Sequence, residues 1–508
     1  MVFFIALISV LSLIICVYLI FYSPYRIRNW HGFIILFFTF TFHSIFIYTL
    51  PFCQIYLVYF LIFIDINSFN CFYHTIIIFY CVFESFFFLF NVEEARFLSN
   101  RPLPERLPLP KNYDEQFVDR ILNVYEKSQD DFRVCFVGWF NGIKNSSCDL
   151  IYEENILEYI AMATYGIEYG NEMTDKQQQH IKRLLYKGYL KKYPEQRSKI
   201  KPGYNHQIQL KHPNRDPIQY THYPLLKYLL FAFVRSITTS ILKSMGYEYH
   251  NVDNVVFYVR KYPKKTRLRP ILFLHGLSLG ANTYILFIRR LASLNRTIIL
   301  LDIPHASMRL YTEIFSMSTI ISSIEKLLIT LNEQYIISIS HSYGTLIQSC
   351  LVKQLSHRVY NQAVIFIDPV CFLIFDSRYI NNFIYRQPRT PNQLLLHTAC
   401  ADDLYLIYAI ERNLCWYECN LWAEDIKQSQ IRIHVFLSEN DDSIPVSFVK
   451  EYLRKSNIDT TIIPQFKHGQ FIITPKIQDD ILNMLYKLEE KPMINDYNDD
   501  DNDELAYF

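Results

Sequence analysis

The stretch Tyr335–Cys350, YIISISHSYGTLIQSC, decides how the whole chain is read. Its first part, Tyr335–Ser340, is an apolar, β-branched run of strand length, and Tyr343–Leu355 continues as a helical pattern with almost no linker. A strand passing so directly into a helix must turn sharply, and Ser342 stands at the turn. A strained backbone there lifts the serine hydroxyl above the end of a sheet. The residues two before and two after must be small, because the strand and helix backbones pass closely. They are Ser340 and Gly344. The pattern is G-x-S-x-G with its first glycine replaced by serine, a sterically mild change. Its weight comes from its place between strand and helix, not from the five letters alone.

Working outward, strands and helices alternate from Gly246 onward. Strand patterns lie at Val255–Val259, Ile271–His275, Thr297–Asp302, Ala363–Asp368, Ile431–Leu437 and Thr460–Pro464. Helical patterns lie at Ala281–Leu294, Glu313–Asn332 and Lys476–Leu488. Near-continuous apolar strands between helices predict a mostly parallel sheet covered on both faces. Ligands of such sheets sit at the carboxyl ends of the strands. The chain has only 12 glycines, yet Gly276, Gly280, Gly344 and Gly469 all fall at strand ends, where larger residues would not fit.

A serine hydroxyl is a poor nucleophile until an imidazole takes its proton and a carboxylate orients that imidazole. Asp441 follows the strand Ile431–Leu437, and His468 follows Thr460–Pro464. The order Ser342, Asp441, His468 therefore supplies nucleophile, acid and base. Oxyanion donors are expected from the backbone N–H groups of Leu277, in the HGLSLG turn, and Tyr343, at the start of the helix. Asp368, also ending a strand, is the alternative acid. His275 and Gly276 are expected to shape the oxyanion loop, and Gly344 to permit the turn. His341 reads as a packing neighbour of the serine, and His434 as a core residue.

These features resemble the α/β-hydrolase superfamily through His275-Gly276, Ser340–Gly344, Asp441 with Ile444-Pro445, and His468-Gly469. Asp302-Ile303-Pro304 resembles the superfamily's D-x-P-G-H-G turn but continues His305-Ala306-Ser307. The resemblance covers about half the chain, residues 247–490, and implies a lipase- or esterase-like serine hydrolase needing neither metal nor organic cofactor. Acyl transfer through the same residues and a catalytically inactive membrane scaffold are the alternatives. The residues between Asp368 and Ile431 exceed what the sheet needs, so a helical lid is expected at about 370–430. Leu404–Trp422 reads either as a cap helix packed on the core or, more sharply, as an apolar wall for an acyl chain, with Trp416 and Leu421 prominent in it.

The first quarter of the chain is different. Met1–Tyr22 carries no charged side chain and reads as an uncleaved span; Gly32–Ile64 is again uncharged and is divided by Pro51; Phe72–Phe90 forms a further span containing Glu84. Glu84, read as near a helix end, is expected to face protein or the interface. Three or four spans are allowed within 1–90. Arg26 and Arg28 place the first loop in the cytoplasm, so four spans put the remainder in the lumen and three in the cytosol. Sequons at Asn145 and Asn295 would be usable in the lumenal case. A multi-pass membrane protein follows, with the endoplasmic reticulum a candidate compartment; the layout resembles membrane-bound fungal hydrolases. Residues 91–246 combine a proline-rich spacer, RPLPERLPLP at Arg101–Pro110, with a helical region marked by Phe117, Ile121, Leu122, Val124 and Tyr125. Tyr223–Leu242 reads as a helix packed on a neighbouring domain. Residues 491–508 are an acidic, disordered tail.

Composition agrees. Hydrophobic residues make up 51% of 508, and 50 Lys+Arg against 49 Asp+Glu leave no basic excess for nucleic acid. The 11 cysteines show neither CxxC pairs nor metal-ligand spacing. The expected partners are the lipid bilayer and an apolar ester.

Overall fold

The run of apolar strands after Gly246 closes into one eight-stranded sheet. Its strands are β1 (Glu248–Val252), β2 (Val255–Arg260), β3 (Ile271–Leu274), β4 (Ile298–Asp302), β5 (Tyr335–His341), β6 (Tyr360–Ile367), β7 (Arg432–Ser438) and β8 (Thr460–Ile463). The structure, a computed structural model, describes residues 30–63, 71–101, 113–126, 136–143, 148–170, 172–194, 197–263, 268–354, 360–413 and 416–490. The expected span Met1–Tyr22, nearly all of the proline-rich spacer, the sequon at Asn145 and the acidic tail lie outside these residues.

The spatial order is β1-β2-β4-β3-β5-β6-β7-β8. β2 runs antiparallel to both β1 and β4, and every other pairing is parallel. Central strands β3 and β4 are buried at every position, as near-continuous apolar sequence requires. Edge strand β1, EYHNV, is half exposed and polar, which is why apolar patterning passes over it. It is joined to β2 by Asp253-Asn254, both with positive φ (51° and 66°), the backbone of a tight hairpin turn.

In the N-terminal quarter, α1 (Trp30–Phe63) is a single helix with Pro51 inside it, and α2 (Cys71–Ser99) runs well past Phe90. Glu84 therefore lies mid-helix rather than near an end, and it is fully buried against protein. α3 (Tyr113–Glu126) turns Phe117, Leu122 and Tyr125 inward, with Phe117 against Trp422 and Tyr125 stacked on Phe448. α4 (Glu153–Tyr165) belongs to a small satellite core with Trp139, Leu184, Leu185 and Leu210. An antiparallel pairing of Phe140–Asn141 with Gln209–Leu210 adds a short ribbon to this otherwise helical region. Trp139 Nε1 donates to the Phe375 carbonyl at 3.3 Å, tying that core to the sheet domain. α5 (Leu225–Ser244) precedes β1.

The sheet divides its own side chains by alternation. Leu272, Leu274, Val364 and Phe366 face one layer, formed with α7 (Met317–Thr330), α8 (Gly344–Gln354) and α11 (Val446–Lys455). Ile271, Phe273, Ala363, Ile365 and Ile367 face the other, formed with α6 (Ile285–Ala292) and α12 (Pro475–Glu490). Between β6 and β7 the chain leaves the sheet for an insertion that includes α9 (Pro391–Leu396) and α10 (Leu404–Asn413). Among the described residues three helical stretches, Ile34–Ile62, His74–Ser99 and Leu225–Ser244, are long and apolar enough to cross a membrane.

Candidate active site

β5 ends at His341 and α8 begins at Gly344, so Ser342 and Tyr343 alone make the turn. Ser342 holds φ at +51°, a left-handed conformation that costs a non-glycine residue energy. Two glycines make the turn possible. A Cβ on Gly344 would stand 2.3 Å from the Leu274 carbonyl oxygen, and one on Gly276 would stand 2.8 Å from the Ser342 Cβ. Ser340 is fully buried, and its hydroxyl finds no hydrogen-bond partner among the described residues. The serine in place of the motif's first glycine thus fits by size but leaves a polar atom unsatisfied.

The Ser342 hydroxyl lies 2.8 Å from His468 Nε2, and His468 Nδ1 lies 2.6 Å from Asp441 Oδ2. The other Asp441 oxygen accepts from the backbone N–H groups of Ser443 (2.7 Å) and Ile444 (3.2 Å), which fixes the carboxylate. Asp441 contributes the side chain that the histidine contacts. Asp368 stands beside it and is held otherwise, accepting from Ser438 N (2.8 Å), Ser438 Oγ (3.1 Å) and Gly469 N (2.8 Å). Asp368 therefore buttresses the turn that carries His468. Ligating atoms of Asp368, Asp441 and His468 lie within 4.8 Å of one another, but each residue is engaged in the hydrogen bonds just described.

Electrostatics follow from this crowding. Burial alone would push the His468 imidazole down; the carboxylates of Asp441, then Asp368 and Asp442, outweigh it and hold the group up at about 9. Asp368 is raised to about 6 by burial and by the neighbouring Asp441 charge. His341 is pushed down by burial and by the adjacent His468 and His275.

Around the serine, the expected supporting residues occupy connected positions. His275 Nδ1 lies 2.9 Å from the Gly276 carbonyl oxygen, and its Nε2 accepts from Ile303 N at 3.3 Å. Ser278 N donates to the Ala306 carbonyl, and Ser307 Oγ to the Ile303 carbonyl, so the divergent PHAS turn braces the loop that carries Leu277. Leu277 and Tyr343 line the same cavity as Ser342 and His468. His434 is buried in mid-strand and contacts Thr461 Oγ1.

One participant was not apparent from sequence. Tyr284 Oη accepts from Gly276 N at 3.0 Å and lies 2.6 Å from His341 Nδ1, linking the Leu277 loop to the neighbour of the serine. Nothing local marks that tyrosine among the chain's 39.

The cavity in front of Ser342 measures about 390 Å³ and is walled almost wholly by apolar side chains. The expectation that Leu404–Trp422 forms this wall is corrected. Among the described residues of that stretch only Ile410 lines the cavity, whereas Ile374, Phe383, Ile384, Leu395, Leu396 and Ala399 supply most of the insertion's share. Leu421 is fully buried in the sheet core, where the side chains of α8 and the insertion meet. The side chain of Trp416 lies outside the described residues.

The strand order, the single antiparallel β2, and the serine elbow after β5 with loops after β7 and β8 converging on it define an α/β-hydrolase fold. No protein-family model and no curated protein matches the chain. The chain is similar to a bacterial membrane phospholipase A (TM-score 0.36, 14% identity, covering 52% of this chain and 94% of that one). It is also similar to a carboxylesterase of the thaumarchaeon Nitrososphaera gargenis (0.36, 16%, 48% and 99%) and to carboxylesterase CesB from Bacillus subtilis (0.37, 12%, 51% and 99%).

Proposed function

We propose that the protein is a membrane-anchored serine hydrolase that cleaves a carboxylic ester with an apolar acyl chain. The observation that carries this reading is the unbroken chain Ser342 Oγ–His468–Asp441, at 2.8 and 2.6 Å, opening on an apolar cavity. Ser342 Oγ attacks the ester carbonyl carbon while its proton passes to His468 Nε2; Asp441 holds the imidazole in place and stabilises the imidazolium. Backbone N–H groups of Leu277 and Tyr343 receive the negative oxygen of the tetrahedral intermediate. On collapse the C–O bond to the alcohol breaks, and the leaving oxygen takes the proton back from His468. Water, deprotonated by the same imidazole, then releases the acid and restores Ser342.

In this reading residues 1–90 anchor the chain, 91–246 connect, 247–490 form the hydrolase domain, and the insertion at about 370–430 acts as its lid. α1 and α2 cross the membrane. The apolar cavity wall and the anchor both favour an apolar substrate.

Labelling of the membrane-bound protein with a fluorophosphonate probe tests the proposal. Wild type should label and Ser342→Ala should not; equal labelling of both would remove Ser342 from the mechanism, and labelling of neither would remove hydrolysis.

A further inference from the structure

α5 is amphipathic in the wrong sense for water. Its outward stripe is Leu226, Leu229, Leu230, Phe233, Ile237 and Ile241, between 40% and 64% exposed. Two of its cations point the other way, into the protein. Lys227 is 2% exposed, reaches Asp403 at 3.2 Å and lies 3.0 Å from the Tyr223 ring centroid, while Arg235 donates to the Met308 carbonyl. A helix that turns Lys227 and Arg235 inward, leaves its one exposed cation, Lys243, to its last turn, and exposes its leucines matches an apolar surrounding medium.

Its position identifies that medium. Leu225 N, at the first turn of α5, donates to Glu84 Oε2 at 2.9 Å, and His222 Nε2 lies 3.0 Å from Glu84 Oε1. Glu84 is about 20 Å from either end of α2 at 1.5 Å per residue. An α2 that crosses the bilayer therefore sets the start of α5 in the hydrocarbon layer. Side chains of α2 around that level, Phe79, Phe83 and Phe86, are likewise apolar and turned outward. Two helices that meet at Glu84 and both turn large apolar side chains outward favour lipid over a second protein chain.

The inner face of α5 reaches the cavity. Phe231 packs with Met308 and Leu406, and against this trio lie Leu277, Leu279 and Ala399. Met308, Leu277, Leu279 and Ala399 all line the cavity in front of Ser342. From the other side α9 packs along α1 while its Leu395 and Leu396 line the same cavity.

We infer that α5 lies in the hydrocarbon layer with its Leu226–Ile241 stripe against acyl chains, and that the substrate is a membrane-dissolved acyl ester entering the cavity sideways from that layer between α5 and α9. This rests on the serine-hydrolase reading for the reaction, but the lipid contact of α5 stands apart from it.

The test uses the full chain in phosphatidylcholine vesicles. A photoreactive benzoylphenylalanine at position 237 should crosslink to lipid, while one at Lys450, an exposed position on α11, should not. Crosslinks from 237 to protein only, or none to lipid, would overturn the placement. Phe233→Glu should slow cleavage of 4-nitrophenyl palmitate dissolved in the bilayer by about tenfold or more, since a buried carboxylate disfavours that layer, and leave cleavage of aqueous 4-nitrophenyl acetate unchanged. Equal loss on both esters, or no loss on either, would overturn lateral entry. Absence of fluorophosphonate labelling in wild type would instead contradict the hydrolase reading, and the crosslink would still decide where α5 lies.

Discussion

Among the described residues, two clusters of buried charge are built for different ends. At the rim of the sheet, His468 and Asp441 share a short hydrogen bond and present Ser342 to an apolar cavity. Near the start of α5, Lys227 meets Asp403, Tyr228 Oη donates to Asp403 at 3.0 Å, and Tyr223 Oη donates to both oxygens of Asp402 at 2.9 and 2.8 Å. His43 of α1 lies 3.2 Å from the same tyrosine oxygen. None of these residues lines the cavity in front of Ser342. The second cluster closes upon itself and joins α1, α5 and the insertion; the first ends in a hydroxyl that faces open space. Burial of charge marks both, and only the open end distinguishes a place where a reaction would occur.

The comparison can be broken by substitution, beginning with the largest effect. Ser342→Ala should lower ester cleavage by about a thousandfold or more, with the thermal midpoint in detergent changed little. Retained activity would mean that the two clusters do not differ in kind.

Asp403→Ala should behave in the opposite way. Leaving Lys227 buried without its partner costs about 3–5 kcal/mol, read as a lower unfolding midpoint, while the surviving folded fraction labels at Ser342 at the wild-type rate. A labelling defect in that fraction without loss of stability would place the cluster in the reaction.

Asp368→Asn sharpens the role of the second carboxylate. The charge of Asp368 helps hold the proton on His468, so its removal lowers the pKa of the imidazole. The neutral form acts as base, so the wild-type labelling rate should rise with pH toward about 9. In the variant that rise should come at lower pH. An unchanged profile would show that Asp368 only braces the Gly469 turn.

The smallest effect is expected at Ser340. Removing its unpartnered hydroxyl by Ser340→Ala should raise stability by about 1 kcal/mol, read as a higher midpoint with cleavage unaltered; a lower midpoint would mean that the hydroxyl has a partner.

How much of this was legible beforehand follows from range along the chain. The elbow could be read at Tyr335–Cys350 because strand, turn and helix are consecutive, and Ser340 and Gly344 satisfy a local steric demand. Asp441 and His468 were legible through their order after the last two strands, without any contact being visible. Tyr284 was not, because its bonds to Gly276 and His341 are made only when the sheet assembles. The cavity wall was misplaced for a similar reason: Leu404–Trp422 has the apolar pattern of a wall, but Leu421 spends it on the core. The direction of α5 could not be read either, since an apolar helix looks alike whether leucine or lysine faces inward. Partners far away in sequence, Asp403 for Lys227 and Met308 for Phe231 and Arg235, fix its rotation.

The central claim is a covalent bond to one oxygen. Rapid quenching of the protein during turnover of a long-chain 4-nitrophenyl ester, followed by peptide mass measurement, tests it most directly. The account predicts an acyl adduct on the peptide that contains Ser342, absent from Ser342→Ala. Turnover with no acyl adduct on that peptide, or with the adduct on a different residue, would contradict it.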